Sequence, residues 1–251
     1  MLQVQNLSKR YGAKVLAVDN LSFQTKEGEI YGLLGPNGAG KTTTLRMIAT
    51  LLEPSEGSIK VAGFDTRTQA EQVRRNIGVV NGGMGLYDRL TGREILEYFA
   101  SFYGMGKLDI AARIKELSDS LEMNELLDRR AAEYSTGMKQ KIVIGRAVIH
   151  NPSVLILDEA TNGLDVVARR AVLEFARAYK GAGKVVIYST HIMSEAEELC
   201  ERAAIIDHGR LIAEDTIQRL KTRADAVNLE DAFFTLTQSE QPKSGFIKEV
   251  K

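Results

Sequence analysis

Short apolar runs broken at glycine and charged turns occupy both ends of this chain, and helical spacing takes over its middle. Residues 2–4 and 16–23 alternate or carry β-formers, with Glu27-Gly28 as punctuation, so they read as strands joined by turns. Residues 29–34 form an apolar run ending at a glycine, the pattern of a buried strand. Apolar spacing at Leu45, Ile48, Ala49 and Leu52 predicts a helix over residues 41–52, stopped by Glu53-Pro54. Residues 58–62 and 77–80 read as two further short strands. From 91 to 150 helix formers dominate, and residues 94–103, 111–127 and 139–148 carry helical spacing, so a mostly helical insertion is expected between strands. Strands resume at 154–157 and 185–188 around a helix over 166–179, which implies a right-handed crossover and a parallel sheet. Residues 203–207 and 210–214 pair around His208-Gly209, and beyond residue 220 the polar sequence supports no firm element.

A length of 251 residues suits one α/β domain, or one large domain with a smaller one attached. Thirty-three basic residues balance 33 acidic ones, which argues against a broad grip on nucleic acid, since that needs a positive excess. Cys200 is the only cysteine, so no internal disulfide can form and cytosolic residence fits. It falls in a polar helical stretch, residues 194–202, and is expected to be an inert thiol facing a core. Three scattered histidines offer no zinc-ligand spacing. The opening residues lack the apolar region of a secretory signal. Stretches free of charge reach only about a dozen residues, where a spanning helix needs about 20, so any membrane spans are expected on another polypeptide.

Gly35-Pro36-Asn37-Gly38-Ala39-Gly40-Lys41-Thr42 matches the pattern GxxxxGK(S/T), follows a strand and opens a helix. Glycines let the backbone wrap until successive N–H groups converge on one anion, and the helix N-terminus adds its partial positive charge. Lys41 can reach the outer phosphates of a nucleotide, and the Thr42 hydroxyl suits Mg²⁺; Thr43 follows in the same turn. The run Val154-Leu155-Ile156-Leu157 leads into Asp158-Glu159, two acids at the carboxyl end of a buried strand, where α/β sheets place ligands. Asp158 is placed to orient the metal, and Glu159 to polarise an attacking water. His191 follows a second such strand, after Ser189-Thr190, and is a candidate γ-phosphate contact.

Tyr134-Ser135-Thr136-Gly137-Met138, with Lys139-Gln140-Lys141 behind it, lies between these two motifs and resembles the LSGGQ element of ABC ATPases. Ser135 there is a plausible N-cap, and with Gly137 it makes a second anion site at a helix start. The resemblance, carried by ordered motifs over about residues 2–220, implies a P-loop α/β fold of ABC ATPase type. That fold has a RecA-like mixed, mostly parallel sheet, an antiparallel β-subdomain and a helical subdomain at about residues 84–150. It implies an ATPase domain over residues 1–220 and a C-terminal extension over 221–251. In the family two ATP molecules are sandwiched in a head-to-tail dimer, so Ser135 and Gly137 would touch the nucleotide of a second copy of the chain. By the same resemblance Tyr11 matches the aromatic residue that stacks on adenine, Asp165 in Gly163-Leu164-Asp165 the D-loop acid, and His191 the switch histidine. ATP and Mg²⁺ are the implied ligands, and an integral-membrane permease is the implied partner, with the chain on the cytoplasmic face of the membrane. Gly85-Leu86-Tyr87-Asp88-Arg89-Leu90-Thr91 resembles ATPases of ABC-2-type exporters, the sodium-exporting kind in particular, as does the tail from Leu229 to Phe234.

Three positions depart from the family pattern. Gly82 stands where most relatives carry a glutamine, with the shorter Asn81 as the nearest substitute; Ala160 replaces a common proline, and Thr136 the first glycine of LSGGQ. The leading expectation is ATP hydrolysis that energises export through a separate permease. Translation or repair ATPases would bring a second domain or a coiled coil, and a GTPase would bring an NKxD pattern; neither is present. An ATP-dependent dimerisation switch with little hydrolysis is the alternative that Gly82 keeps open.

Overall fold

A computed structural model describes residues 1–12, 15–181 and 183–240. The chain opens with strands β1 (Leu2–Tyr11), β2 (Val15–Gln24) and β3 (Ile30–Leu34), then helix α1 (Lys41–Ile48), β4 (Glu56–Val61), β5 (Phe64–Asp65), α2 (Ala70–Arg75) and β6 (Ile77–Asn81). Helices α3 (Gly92–Ser101), α4 (Lys107–Ser120) and α5 (Thr136–Val148) follow without an intervening strand. The chain then alternates through β7 (Val154–Asp158), α6 (Val166–Gly181), β8 (Val185–Thr190), α7 (Met193–Leu199), β9 (Arg202–Asp207) and β10 (Arg210–Thr216). Helices α8 (Ile217–Arg223) and α9 (Leu229–Glu240) end the described part.

Two sheets result. An antiparallel sheet runs β2-β1-β4-β5, and a larger one runs β10-β9-β3-β8-β7-β6. In the larger sheet only β10 is antiparallel to its neighbour. Every residue of β3, β7 and β8 is buried, which is why these segments read as unbroken apolar runs rather than alternating ones. One core lies between this sheet, α1 and the antiparallel sheet, and includes Leu7, Leu33, Met47, Ile156 and Ile187. A second lies on the opposite face, where Leu155, Leu157 and Tyr188 share a core with Ile95 and Ile142 of the helical region and Leu173 of α6.

Several boundaries differ from the sequence reading. Strand β1 runs to Tyr11 rather than ending at residue 4, because register shifts against β2 and a left-handed Asn6 (φ 48°) break the alternation. Helix α1 stops at Ile48: Thr50 turns left-handed (φ 60°) and the Leu51 amide bonds back to the Arg46 carbonyl at 2.9 Å, several residues before Pro54. Helix α4 starts earlier and ends at Ser120, where Leu121 caps it, Glu122 is left-handed and a short 3₁₀ turn, Asn124–Leu126, takes over. The polar tail hides α9, whose Leu229, Ala232 and Leu236 recur at helical spacing and join the second core. Cys200 is buried at the end of α7, and burial pushes its thiol pKa far above the ordinary range, which makes it an inert thiol in the core.

His150 follows α5 and is held from two sides. Its ring stacks on Tyr103 with centroids 3.7 Å apart, and Nε2 lies 3.1 Å from the Ile77 carbonyl oxygen. Burial lowers its pKa from 6.5 to about 4, and the charges of Lys184 and Arg113 push the same way. A group whose folded pKa lies below its unfolded value stabilises the fold fully above the unfolded pKa and progressively less below it. The urea midpoint is therefore expected to fall as pH drops from 6.5 towards 4, and to fall less in His150→Phe, which keeps the stacking. Identical pH profiles for the two proteins would show that His150 does not carry this term.

Candidate functional site

Because β6, β7, β8 and β3 are adjacent and parallel, their carboxyl ends share one edge of the sheet. Open α/β sheets bind ligands at that edge. Onto it the sequence delivers, in spatial order, Asn81-Gly82 after β6, Asp158-Glu159 at β7, His191 after β8 and the glycine-rich loop after β3.

The loop after β3 closes tightly onto α1. Gly40, the N-cap, sits at φ 101°, and a Cβ there would lie 2.5 Å from the Ala17 carbonyl oxygen, so only glycine fits. The first turn of α1 has no acidic residue of its own, so its N-terminal positive charge faces the loop and the acids after β7. Lys41 is only 4% exposed and donates from Nζ to the carbonyls of Gly35 at 2.7 Å and Pro36 at 3.0 Å. Burial lowers its pKa, while the charges of Glu159 and Asp158 oppose the shift. Thr43 is half-buried beside it.

Thr42 reaches across to β7, its hydroxyl donating to Asp158 Oδ2 at 3.1 Å. The other carboxylate oxygen, Oδ1, is buried and has no well-formed hydrogen bond among the described residues; burial raises the Asp158 pKa, while the Ser189 and Thr42 hydroxyls oppose the shift. One hydroxyl and one carboxylate with an unused lone pair are a donor set that suits a hard cation such as Mg²⁺, whose remaining ligands come from phosphate and water. Glu159 leaves the strand in the left-handed region (φ 50°), its amide bonded to the Ser189 carbonyl of β8 at 2.9 Å. Its Oε1 lies 3.3 Å from His191 Nδ1, and its Oε2 accepts from Asn162 Nδ2 at 2.8 Å. Sequence reasoning missed Asn162; the available signal was an amide side chain three residues beyond the acid.

Ser135, Gly137 and Asp165 form a separate group. Ser135 caps α5, its hydroxyl accepting from the Met138 amide at 3.3 Å, and Asp165 Oδ1 accepts from the Ala168 amide at 2.8 Å at the start of α6. Gly137 is needed for the approach of those helices, since a Cβ there would lie 2.9 Å from Ala168 Cβ. All three line one cavity of about 460 Å³. None of them shares a hydrogen bond or ion pair with residues 35–43, Asp158, Glu159 or His191 among the described residues. Tyr11 is also apart, at the exposed end of β1 with the Lys9 ammonium 5.5 Å from its ring centroid.

The family model described as ABC transporter matches residues 18–162. The chain belongs to the ABC transporter family. It is 43% identical over 224 residues to the ABC transporter ATP-binding protein NatA of Bacillus subtilis, covering 88% of this chain and 91% of that one. Identity to the Nod factor export ATP-binding protein I of Burkholderia orbicola is 42% over 213 residues, 85% of this chain and 70% of the relative. Among solved structures, an ATP-binding subunit of an ABC transporter superposes with a TM-score of 0.86 at 32% identity, covering 94% of this chain and 99% of that one. A dimeric post-hydrolysis state of the ATP-binding cassette MJ0796 bound to ADP and Pi superposes at 0.76 with 26% identity, covering 86% and 98%. This ABC transporter chain is thus an ATP-binding subunit and an ATPase with the α/β cassette fold read from its sequence.

The Gly82 position has a local physical reason in this ABC cassette. Its amide extends the β6–β7 ladder by bonding to the Asp158 carbonyl at 2.9 Å. An added Cβ would stand 3.0 Å from the Glu159 carbonyl oxygen, inside ordinary contact. Asn81 pairs in register with Asp158 but is exposed, with no side-chain hydrogen bond. Gly82→Ala is expected to shift the Glu159 peptide and slow ATP turnover roughly 3- to 10-fold with ATP affinity within about twofold, as small misplacements of reacting groups do. Unchanged turnover in a steady-state assay would mean that the peptide yields without consequence.

Proposed function

We propose that this chain is the motor of an exporter, hydrolysing ATP between two copies of itself to drive a separate integral-membrane permease. The observation that carries the reading is the meeting at one sheet edge of Thr42 with Asp158 and of Glu159 with His191. The amides of residues 35–43 would cradle the phosphates, with Lys41 exchanging its carbonyl partners for phosphate oxygens, and Tyr11 would stack on adenine. Thr42 and Asp158 would hold Mg²⁺, which supplies charge neutralisation on the phosphates when bound. Glu159 would take the proton of the attacking water, and His191 would contact both that carboxylate and the terminal phosphate.

Ser135, Gly137 and Asp165 lie apart from this group, so a second copy, facing head to tail, is the arrangement that would bring them to a nucleotide. Dimeric cassette structures among the similar folds support that arrangement. Export is supported by the Nod factor export relatives, and sodium extrusion by the resemblance of residues 85–91 to sodium-exporting ATPases. Among the described residues no helix is long and apolar enough to cross a membrane, which fits a peripheral location on the cytoplasmic face. Gly82 favours a second reading, a dimerisation switch with little turnover.

Two substitutions test the site. Glu159→Gln is expected to keep ATP binding but lower magnesium-dependent turnover by about 10² or more, the usual contribution of a general base, and to trap an ATP-bound dimer visible by light scattering. Dimerisation by the unaltered chain without turnover would support the switch instead. Lys41→Ala is expected to weaken ATP binding at least about tenfold, as loss of a charge-assisted phosphate contact does; equal affinity by calorimetry would contradict the cradle.

A further inference from the structure

Glu195 sits in the first turn of α7, 1% exposed, and no motif of the sequence pointed to it. A carboxylate so buried persists only when it is compensated, and here three hydroxyls donate to one oxygen while a guanidinium forms an ion pair with the other. Oε2 accepts from Tyr188 Oη at 2.6 Å, Thr161 Oγ1 at 2.9 Å and Thr190 Oγ1 at 3.4 Å. Oε1 is 2.8 Å from Arg169 Nε in an ion pair, and Arg169 also approaches Glu198 at 3.8 Å.

What these partners flank gives the cluster its meaning. Thr161 lies two residues beyond Glu159. Thr190 directly precedes His191, and its hydroxyl also accepts from the Ile192 amide at 3.0 Å, so the chain is gripped on both sides of the histidine. Arg169 belongs to the first turn of α6, where its amide bonds to the Asp165 carbonyl at 2.9 Å. Among the described residues, Glu195 shares no hydrogen bond or ion pair with the residues proposed to meet nucleotide or water.

We propose that Glu195 is a positioning residue for ATP hydrolysis, fixing the His191 and Glu159 segments relative to each other and to the helix that follows Asp165. A buried ionic cluster of this kind is weak as a source of stability, since apolar residues of similar volume often do as well or better. What it provides is a unique geometry among three segments, tying to one buried carboxylate stretches that the Glu159–His191 and Thr161–Tyr188 contacts join only in pairs. The inference rests on the site reading above, in which His191 and Glu159 act on the nucleotide.

The test is a double-mutant cycle on the full chain, with kcat and KM for ATP measured for Glu195→Ala, His191→Ala and the pair. Glu195→Ala is expected to lower kcat about tenfold or more with KM within about twofold, and the pair to be no more than about twofold slower than His191→Ala alone, as for residues acting as one unit. Glu195→Gln, which keeps an acceptor for the hydroxyls, is expected to recover much of the loss. A purely structural role would leave kcat per folded molecule unchanged, or make the losses multiply; either result overturns the proposal. Thr190→Val in place of Glu195→Ala carries the same cycle if the alanine variant does not fold. Wild-type turnover in His191→Ala would remove the site reading, and this inference with it, whereas independent losses would remove the inference alone.

Discussion

The arrangement depends on strands that are buried on both faces. An interior of this kind has no room for unpaired charge, so the polar groups of β3, β7 and β8 collect where the strands end. Parallel strands all end on the same side, and neighbours stand about 4.8 Å apart. Two acids after one strand and a histidine after the next are thereby brought within contact range with no long-range device beyond the sheet ladder. The order β3-β8-β7-β6 sets which groups meet: His191 beside Glu159, and Gly82 on the far side of Asp158. A contact that skips a strand, Thr42 to Asp158, is made by α1, which leads away from β3 and begins over that edge.

Backbone strain, found at several turns of the chain, also falls at this edge. Glu159 occupies the left-handed region, which disfavours a residue with a side chain by about 1–2 kcal/mol. The surroundings over-determine it: a backbone bond to Ser189, side-chain contacts to His191 and Asn162, and the adjacent Thr161 tied to Glu195. Strain held by so many partners usually marks positions where geometry matters more than stability. The same region contains Gln140, which reaches from α5 to the Ala160 carbonyl at 2.9 Å. The helix that begins at Ser135 is therefore mechanically joined to the loop of the catalytic candidate, although Ser135 itself lies apart.

Most of this was legible before the structure because each motif advertises its own constraint. Gly40 and Lys41 imply a turn that only glycine permits, and the run from Val154 to Leu157 implies a strand buried on both faces. The helical region from 91 to 150 was legible because its apolar spacing is regular. Illegible were features that depend on partners distant in the chain. Bulges hid most of β1, since a register shift moves side chains to the other face and erases the period of two. Glu195 looked like one acid among several in a polar stretch; only folding brings Thr161, Arg169 and Tyr188 around it. Asn162 was equally silent, because a hydrogen bond to Glu159 requires the left-handed turn that the sequence does not announce.

Lys41 shows how binding can be coupled to change without a large intrinsic barrier. In the structure its ammonium is almost wholly buried and satisfied by two carbonyls of its own loop. A phosphate arriving at the loop would offer oxygens that carry full charge, so bonds from the ammonium to neutral carbonyls would give way to bonds in which both partners are ionised. The exchange would keep the ammonium paired, since a bare charge in a buried position is costly. Asp158 differs: its Oδ1 is buried without a well-formed hydrogen bond, with the Ser189 hydroxyl as its neighbour, so an incoming cation would add a partner there. On the proposed reading, one side of the site would swap partners and the other would gain one, and both changes would favour the nucleotide together with its metal.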